Sequence, residues 1–289
     1  MYLSNLHTHT YFCNGTRSPK RFVKTALKLG FQSLGFSAHA PLPFESLWAI
    51  HEKDVQEYCG KLQKMKSDYD NLIDIQIGLE VDYIPGISNS FSKLKEKHGL
   101  DYVIGSVHYL GMLKDGKPWL FDGNSPGFRE GLAQLFDGDA KTAAVQYFEL
   151  VKEMVENEHP DIIAHLDLIR RPLQLAFGIV NFQDFYGEEI YRVLQLIAEK
   201  GCMLEVNTRS MYRHNDQQPY PESWILKLAN QLHIPITLTS DAHAPDELDA
   251  GYSLALEVIQ NSGYTQLHYL KNGQWHKQEL ERSGDGVQA

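Results

Sequence analysis

Histidine or carboxylate side chains follow six of seven short apolar runs of this 289-residue sequence, and an asparagine follows the other. His7 and His9 are spaced i and i+2, and so are Asp241 and His243. In extended chain, residues with this spacing point to the same side, so each pair is able to bind one metal ion. Imidazole and carboxylate ligands without thiolate are typical of Zn, Fe, Mn or Co sites rather than Ca sites. The side chains that follow the runs are His7, His9, His39, Glu80, His108, His165, Asn207, Asp241 and His243.

Six of these side chains are imidazoles and two are carboxylates. So many ligands exceed what one tetrahedral or octahedral ion takes from a protein, and the sequence therefore predicts a cluster of two or three ions. Zn, Fe or Mn suits the ligands, with a carboxylate such as Glu80 bridging two ions. A lone histidine is usually an ordinary core or surface residue. We interpret the other histidines in that way: His51, His98, His159, His214, His233, His268 and His276.

The elements that must position these ligands alternate between apolar runs and helical patterns, which predicts a parallel α/β architecture. One helical pattern begins at Ser18-Pro19 and ends at Gly30, and another covers residues 182–200. In a parallel α/β barrel, the carboxyl ends of all strands converge on one rim, where active sites are built. The runs cover residues 2–6, 33–37, 73–79, 102–107, 161–164, 202–206 and 234–240, and the other helical patterns roughly 53–69, 88–98, 139–157, 220–232 and 246–262.

Residues 1–280 are predicted to form a single barrel domain with inserted loops. Residues 110–136 are rich in Gly and Pro and are interpreted as a long loop with a short helix. The Asn272-Gly273 pair predicts a hairpin over residues 266–280. Residues 281–289 have little to bury, and we expect them to be disordered.

Arg170, Arg209 and Arg213 lie just beyond two of the strand ends and are candidates for binding a phosphate. Asp82 lies two residues after Glu80 and is either a structural carboxylate or a group that binds the cationic end of a substrate. Cys13 lacks a partner cysteine and is interpreted as a packing residue. Trp48 and Trp119 are also interpreted as packing residues, with lining of a ring-binding pocket as the alternative.

The charge balance argues against a protein that binds nucleic acid or an anionic membrane. The sequence has 37 acidic and 27 basic residues and a formal net charge of −10. Such binders need a basic face. No apolar run reaches the roughly 20 residues of a membrane helix, and the first ten residues do not resemble a signal peptide. Three cysteines make no disulfide framework, so we expect a cytoplasmic protein with free thiols.

The segments that carry these residues resemble the PHP (polymerase and histidinol phosphatase) superfamily, and within it the histidinol-phosphatase branch. The likeness spans residues 1 to about 260 in matching order. GFSAHAPLP and IGSVH point to the phosphatase branch, whereas the metal motifs belong to the whole superfamily. The matching segments are HTHTYFCNG at 7–15, GFSAHAPLP at 35–43, IGLEVDY at 77–83, YVIGSVHYL at 102–110, IIAHLDLIRR at 162–171, EVNTRSMYR at 205–213 and TLTSDAHAP at 237–245.

The resemblance implies a distorted (β/α)7 barrel, similar to a TIM barrel, with a metal site at the carboxyl ends of the strands. By that likeness, His7, His9 and Asp241 are ligands of a first metal, and Glu80 bridges it to a second. His108 and His165 complete the second site. His39 and His243 belong to a third, with a side chain from the loop after His9. The family usually has Asp or His at that loop position, whereas this sequence has Asn14.

The activity that the resemblance implies is hydrolysis of L-histidinol phosphate to L-histidinol and phosphate, a step of histidine biosynthesis. Clustered divalent ions lower the pKa of a bound water and clamp an in-line displacement. We expect Glu80, Asp241 and His243 to be catalytic, with either Asp241 or a metal-bound water protonating the leaving alkoxide. Other possibilities are a phosphoesterase for nucleotides or another small phosphomonoester, an amidohydrolase-like metal hydrolase, and a metal-binding module without catalysis.

Overall fold

The backbone of the computed structural model is organised around a parallel sheet, and the structure describes residues 2–123 and 125–280. Seven strands lie side by side in the order β1-β2-β3-β4-β7-β8-β9, each parallel to the next. The strands are β1 (Ser4–Asn5), β2 (Ser33–His39), β3 (Asp74–Asp82), β4 (Tyr102–Ser106), β5 (Tyr109–Met112), β6 (Pro118–Leu120), β7 (Ile162–Ile163), β8 (Met203–Asn207), β9 (Ile236–Thr239), β10 (Gln266–Lys271) and β11 (Gln274–Glu279).

The sheet closes on itself just beyond its first and last strands. Thr8 and Ala242 form a parallel bridge. The His9 N–H donates to the Ala242 carbonyl at 2.8 Å, and the Ala242 N–H donates to the His7 carbonyl at 3.1 Å. The sheet is therefore a nearly closed barrel with seven strands, one in each apolar run, and the predicted fold class is confirmed.

Helices cover the outside of the barrel. The pattern that begins at Pro19 ends with Gly30 in the left-handed conformation, where its N–H bonds the carbonyls of Ala26 and Leu27. The pattern over residues 182–200 is a helix of the same extent. The helices are α1 (Pro19–Leu29), α2 (Val55–Asp68), α3 (Phe91–His98), α4 (Ser125–Phe136), α5 (Ala140–Glu158), α6 (Arg170–Phe177), α7 (Phe182–Lys200), α8 (Arg209–His214), α9 (Ser223–Gln231) and α10 (Tyr252–Asn261), with short 3₁₀ turns at Glu52–Asp54 and Pro245–Glu247.

The segment after β4 is more regular than the sequence suggests. Residues 110–136 were expected to be a loop with a short helix, but they contain most of the antiparallel hairpin β5–β6 together with the whole of α4. Short α6 and α8, which follow the ends of β7 and β8, were not predicted either, because each is too brief to show helical periodicity.

Tyr102 belongs to a buried apolar cluster of the barrel and donates a hydrogen bond to the Leu6 carbonyl. Gly78 and Gly35 give this ring its space, since a Cβ on Gly78 would lie 2.6 Å from the Tyr102 ring and one on Gly35 2.4 Å from its hydroxyl. Leu270 of the β10–β11 hairpin joins the same cluster. The Ser33 hydroxyl at the start of β2 donates to the Leu270 carbonyl at 3.0 Å, so the hairpin lies at the end of the barrel opposite the ligand-bearing rim. Residues 281–289, which are predicted to be disordered, lie outside the described chain.

Within the described chain, no helix combines the length and the apolar character that crossing a membrane requires.

Candidate metal centre

The structure brings the predicted ligands together at the carboxyl ends of the barrel strands. His39 and Glu80 lie within β2 and β3, the other histidines and Asp241 come two to four residues after the ends of their strands, and Asn14 comes later in the loop after β1. The histidines and carboxylates among them are buried except His243, which is half-buried, whereas Asn14 is exposed. Most of them line a cavity of about 190 Å³, whose walls are Asn14, His39, Trp48, Glu80, His108, Leu120, Asp122, His165, Arg209, Asp241 and His243.

Glu80 lies at the middle of the cluster, with its two oxygens facing different sets of imidazoles. Oε1 is 3.2 Å from His165 Nε2 and 3.7 Å from His108 Nε2. Oε2 is 2.8 Å from His39 Nδ1, 3.2 Å from His7 Nε2 and 3.5 Å from His9 Nε2. A carboxylate placed in this way is able to bridge ions held by the two sets.

Asp241 is the second carboxylate of the cluster. Its Oδ1 lies 3.2 Å from His9 Nε2 and 3.7 Å from His7 Nε2. The backbone φ of Asp241 is +53°, a conformation that short polar residues tolerate better than others do. This turn comes directly after β9 and directs the carboxylate inward. The combinations whose ligand atoms lie within 4.8 Å of one another are His7/His9/Asp241, His9/His39/His243 and His39/Glu80/His108.

Several ligand atoms of the cluster are buried and make no hydrogen bond, although they converge on one another. Cations shared between these atoms would replace the hydrogen bonds that each buried polar atom otherwise lacks. The donor set is imidazole and carboxylate, which suits a borderline transition metal. The residues therefore fit a multinuclear metal centre. The atoms in question are His7 Nε2, His9 Nε2, His39 Nδ1, Glu80 Oε2 and Asp241 Oδ1.

The electrostatics of the cluster favour the metal-binding protonation states of His9, His243 and Glu80, whereas at His7 the carboxylates of Glu205, Asp241 and Glu80 outweigh burial and raise the pKa well above its ordinary value. Burial, together with nearby His243 and His39, holds the pKa of His9 well below its ordinary value. Burial also lowers the pKa of His243 to about 3. For Glu80 burial opposes charge, but the surrounding imidazoles outweigh it and hold the pKa well below its usual range. His9 and His243 are therefore neutral and Glu80 is ionised, as metal ligation requires.

His7 is held from behind by Glu205, a residue that the sequence analysis did not select. The His7 Nδ1–H donates to Glu205 Oε2 at 2.8 Å, which leaves His7 Nε2 to face Glu80. Glu205 is fully buried and also accepts from the His165 backbone N–H, the Asn207 amide and the Thr239 hydroxyl. A carboxylate behind an imidazole fixes the tautomer and ring orientation of a metal ligand. The available signal was a charged residue inside the apolar run 202–206, two residues before Asn207.

Asp82 supports the imidazole of His108 as Glu205 supports that of His7, and Asp82 does not line the cavity. Its Oδ1 accepts from His108 Nδ1 at 2.8 Å and from the His108 backbone N–H at 3.1 Å. Although burial opposes it, this carboxylate raises the pKa of His108 to about 10. Asp82 is 3% exposed and is occupied by His108, which favours the structural alternative over contact with a substrate.

Asn14 reaches the cavity on the tight loop after His9. The Thr10 carbonyl accepts the N–H groups of both Cys13 and Gly15. A Cβ on Gly15 would lie 2.1 Å from the His9 carbonyl oxygen, so this turn requires glycine. The loop places the Asn14 amide 3.5 Å from His39 Nε2.

The three candidate phosphate-binding arginines have different surroundings. Arg209 lines the cavity, and its Nη1 donates to the Asp241 carbonyl at 2.8 Å and lies 2.9 Å from His243 Nδ1. Arg213 is exposed and lies 3.7 Å from Glu247. Among the described residues that line the cavity, Arg209 is the only one with a permanent positive charge.

Arg170 lies outside the cavity wall and is 3% exposed. Its guanidinium bonds Asp216 at 2.8 Å and the Pro219 carbonyl at 3.2 Å, and it lies 3.4 Å from Asp167. It also lies over the Tyr220 ring, with 4.9 Å to the centroid. These contacts clamp the segment after α8 against α6, which favours a structural role for Arg170, and its contact with phosphate stays a prediction.

A parallel α/β barrel with this centre defines a class, the metal-dependent hydrolases that carry a multinuclear site on the carboxyl rim. The chain belongs to the PHP domain family, whose model matches residues 5–209. The matched region ends before Asp241 and His243, and the closure of the barrel brings these two residues to the site.

The following three relatives of the chain are all named as histidinol phosphatases. A probable histidinol-phosphatase of Deinococcus radiodurans is 30% identical over 264 residues, which cover 90% of this chain and 94% of that protein. A crystal structure from Listeria monocytogenes, assigned as a histidinol phosphatase, is 26% identical with a TM-score of 0.76 and covers 87% of this chain and 99% of that one. The histidinol phosphate phosphatase of Lactococcus lactis, solved with zinc, L-histidinol and phosphate, is 20% identical with a TM-score of 0.70, covering 94% and 98%.

Glu205→Gln tests the support of His7. An amide at this position is a weaker acceptor and presents an N–H to groups that now donate to a carboxylate, so metal affinity should fall about 10- to 100-fold. Metal content measured by elemental analysis across a chelator series reports this loss. Exposed Glu199→Gln on α7 is the matched control and should keep its metal. Equal retention in both variants would show that Glu205 does not support the centre.

Arg170→Met tests the buried clamp. Removing the cation leaves the Asp167 carboxylate buried without its partner, so the free energy of unfolding should fall by about 3–5 kcal/mol. Urea denaturation measures it, with Arg171→Met as the neighbouring control, expected to change by less than about 1 kcal/mol. KM for a phosphomonoester should stay unchanged at a temperature where the variant is folded. A raised KM with unchanged stability would show that Arg170 binds phosphate and is not a structural clamp.

Proposed function

We propose that the protein is a metal-dependent phosphomonoesterase that hydrolyses L-histidinol phosphate to L-histidinol and phosphate. The observation that carries the proposal is the Glu80 carboxylate between two sets of imidazoles, with Arg209 in the same cavity. The names of the relatives support the substrate. The substrate is small and phosphorylated, in keeping with a cavity of about 190 Å³.

Three ligand sets would hold the ions, which we take to be Zn, Fe or Mn. His7, His9 and Asp241 form the first set, and Glu80 joins it to the second. His108 and His165, which face Glu80 Oε1, complete the second set. The third consists of His39, His243 and Asn14. When bound, such ions supply a nucleophile at neutral pH and neutralise charge on the phosphoryl oxygens.

Arg209 is the residue of this chain that orients the phosphate. Its Nη1 is engaged by the Asp241 carbonyl and His243, which fixes the guanidinium plane at the cavity wall. Although burial opposes it, Asp241 and its neighbours raise the pKa of Arg209, so the group stays charged. A guanidinium fixed in this way offers its remaining N–H groups to two phosphoryl oxygens.

Asp241 is the residue placed to move the proton. Its Oδ1 faces His7 and His9, whereas its Oδ2 lies 3.5 Å from the Asn207 amide and 3.8 Å from Arg209 Nε. As water adds to phosphorus, its proton passes to this carboxylate, and the phosphorus–oxygen bond to the alcohol breaks. The same proton then goes to the leaving alkoxide, which departs as L-histidinol. His243 lies beside Asp241 and Arg209 and keeps the Arg209 guanidinium in position.

The purified, metal-replete protein should release phosphate from L-histidinol phosphate, and exhaustive chelation should abolish this release. Zn, Mn or Fe added back should restore it, which tests the metals one by one. Glu80→Gln should lose activity together with more than one metal equivalent, because it removes the charge between the ions. Good turnover of a nucleotide without release from L-histidinol phosphate would overturn the substrate, and activity insensitive to chelation would overturn the metal mechanism.

Arg209→Ala and Arg213→Ala form a matched pair for the phosphate contact. Loss of one charge-assisted contact costs roughly 10- to 100-fold in kcat/KM for a phosphomonoester. We expect this loss in Arg209→Ala alone, with the metal content of both variants unchanged. Steady-state kinetics and elemental analysis of the same preparations separate the two effects. A loss of kcat/KM in Arg213→Ala and not in Arg209→Ala would assign phosphate binding to Arg213.

A further inference from the structure

A second cleft, of about 750 Å³, adjoins the cavity of the candidate metal centre. Trp48 and Leu120 belong to the walls of both spaces. The lining of the cleft is mostly apolar and includes Phe44, Leu47, Tyr109, Met112 and Pro118. A ligand with its phosphate in the cavity therefore has one wall of apolar and aromatic side chains next to its alcohol part.

Trp48 is fixed against the metal ligands themselves. The Ile50 N–H donates to the His39 carbonyl at 3.0 Å and closes the loop that follows β2. The Trp48 ring then lies edge-on to His39, with 4.3 Å between centroids. It is nearly parallel to Tyr109, at 5.9 Å and 20°. The indole is consequently held as a wall between the metal centre and the apolar cleft.

The hairpin β5–β6 supplies the other side of this junction. The Phe121 N–H donates to the His108 carbonyl at 3.1 Å, which holds the end of the hairpin beside the metal ligand. Leu120 and Asp122 flank Phe121 and both line the metal cavity. Asp122 is exposed to solvent at the mouth.

The cavity has opposite charges on its two sides. Among the described residues of its wall, Asp122 is the only carboxylate outside the predicted metal ligands. It belongs to the side of His108, after β4, whereas Arg209 is bound to the residues that follow β9, three strands further along the sheet. A ligand with a phosphate at one end and a cation at the other would be aligned by this polarity.

We propose that Trp48, Leu120 and Asp122 form the subsite for the alcohol part of the substrate, which takes a flat ring and an ammonium group. This inference rests on the proposed function and specifies how its substrate is selected. The ring packs on Trp48 and Leu120, and the ammonium group binds Asp122. L-Histidinol carries an imidazole ring and an amine and meets both requirements. Asp122 thereby takes the role that the sequence analysis offered as one alternative for Asp82.

Two simple phosphomonoesters separate the two contacts. 2-Phenylethyl phosphate has a ring and no amine, whereas O-phosphoethanolamine has an amine and no ring. Asp122→Asn should raise KM about 10-fold for O-phosphoethanolamine and leave 2-phenylethyl phosphate unchanged, and Trp48→Leu should show the reverse. Trp48→Phe keeps a ring and should retain most of the activity on 2-phenylethyl phosphate. Asp115→Asn, in the exposed turn of the same hairpin, is the control and should change neither.

Calorimetric titration of L-histidinol into the metal-loaded protein gives a readout without turnover. Its affinity should fall about 10-fold in Asp122→Asn and in Trp48→Leu and stay constant in Asp115→Asn. Turnover of phosphomonoesters with equal selectivity and equal L-histidinol affinity in all variants would overturn the subsite and leave the proposed function standing. L-Histidinol binding that depends on Asp122 and Trp48, in a protein that hydrolyses no phosphomonoester, would support the subsite and overturn the proposed function.

Discussion

The structure depends on the burial of one carboxylate among imidazoles. Glu80 is 1% exposed, and its two oxygens face five histidine side chains that come from four different strands or their ends. A carboxylate removed from water is costly unless cations or hydrogen bonds compensate it. Shared metal ions would compensate the whole cluster at once, and the chain around Glu80 is arranged so that the ligands point at one another.

The barrel provides this arrangement through parallel strands whose carboxyl ends meet at one rim. Orientation of the ligands comes from a deeper layer, in which Glu205 holds His7 and Asp82 holds His108. Glu205 accepts four hydrogen bonds, from His7, the His165 backbone, Asn207 and Thr239, and so connects β1, β7, β8 and β9. The same buried carboxylate therefore supports a candidate metal ligand and joins four strands of the barrel.

The loops place different kinds of side chain on two sides of the cavity. The side of β8 and β9 carries Arg209, which is fixed by backbone and imidazole contacts and suits a phosphate. The side of β2 and β4 carries Trp48 and Asp122, next to an apolar cleft. A rigid buried centre combined with variable loops allows one barrel to keep its chemistry while the loops select the alcohol.

The sequence by itself determined the alternation of strands and helices, the parallel sheet and the set of candidate metal ligands, because strand burial and i, i+2 spacing are local properties of the chain. It also located the β10–β11 hairpin through Asn272-Gly273. It did not separate Arg209 from Arg170, or a substrate contact from a support role for Asp82, since residues equally near a strand end differ only in which neighbour occupies them. Glu205, Asp122 and the position of Trp48 also depended on the tertiary structure. Their roles come from contacts with residues up to about 200 positions away in the chain, such as the Glu205–His7 pair, and local patterns carry no information on distant partners.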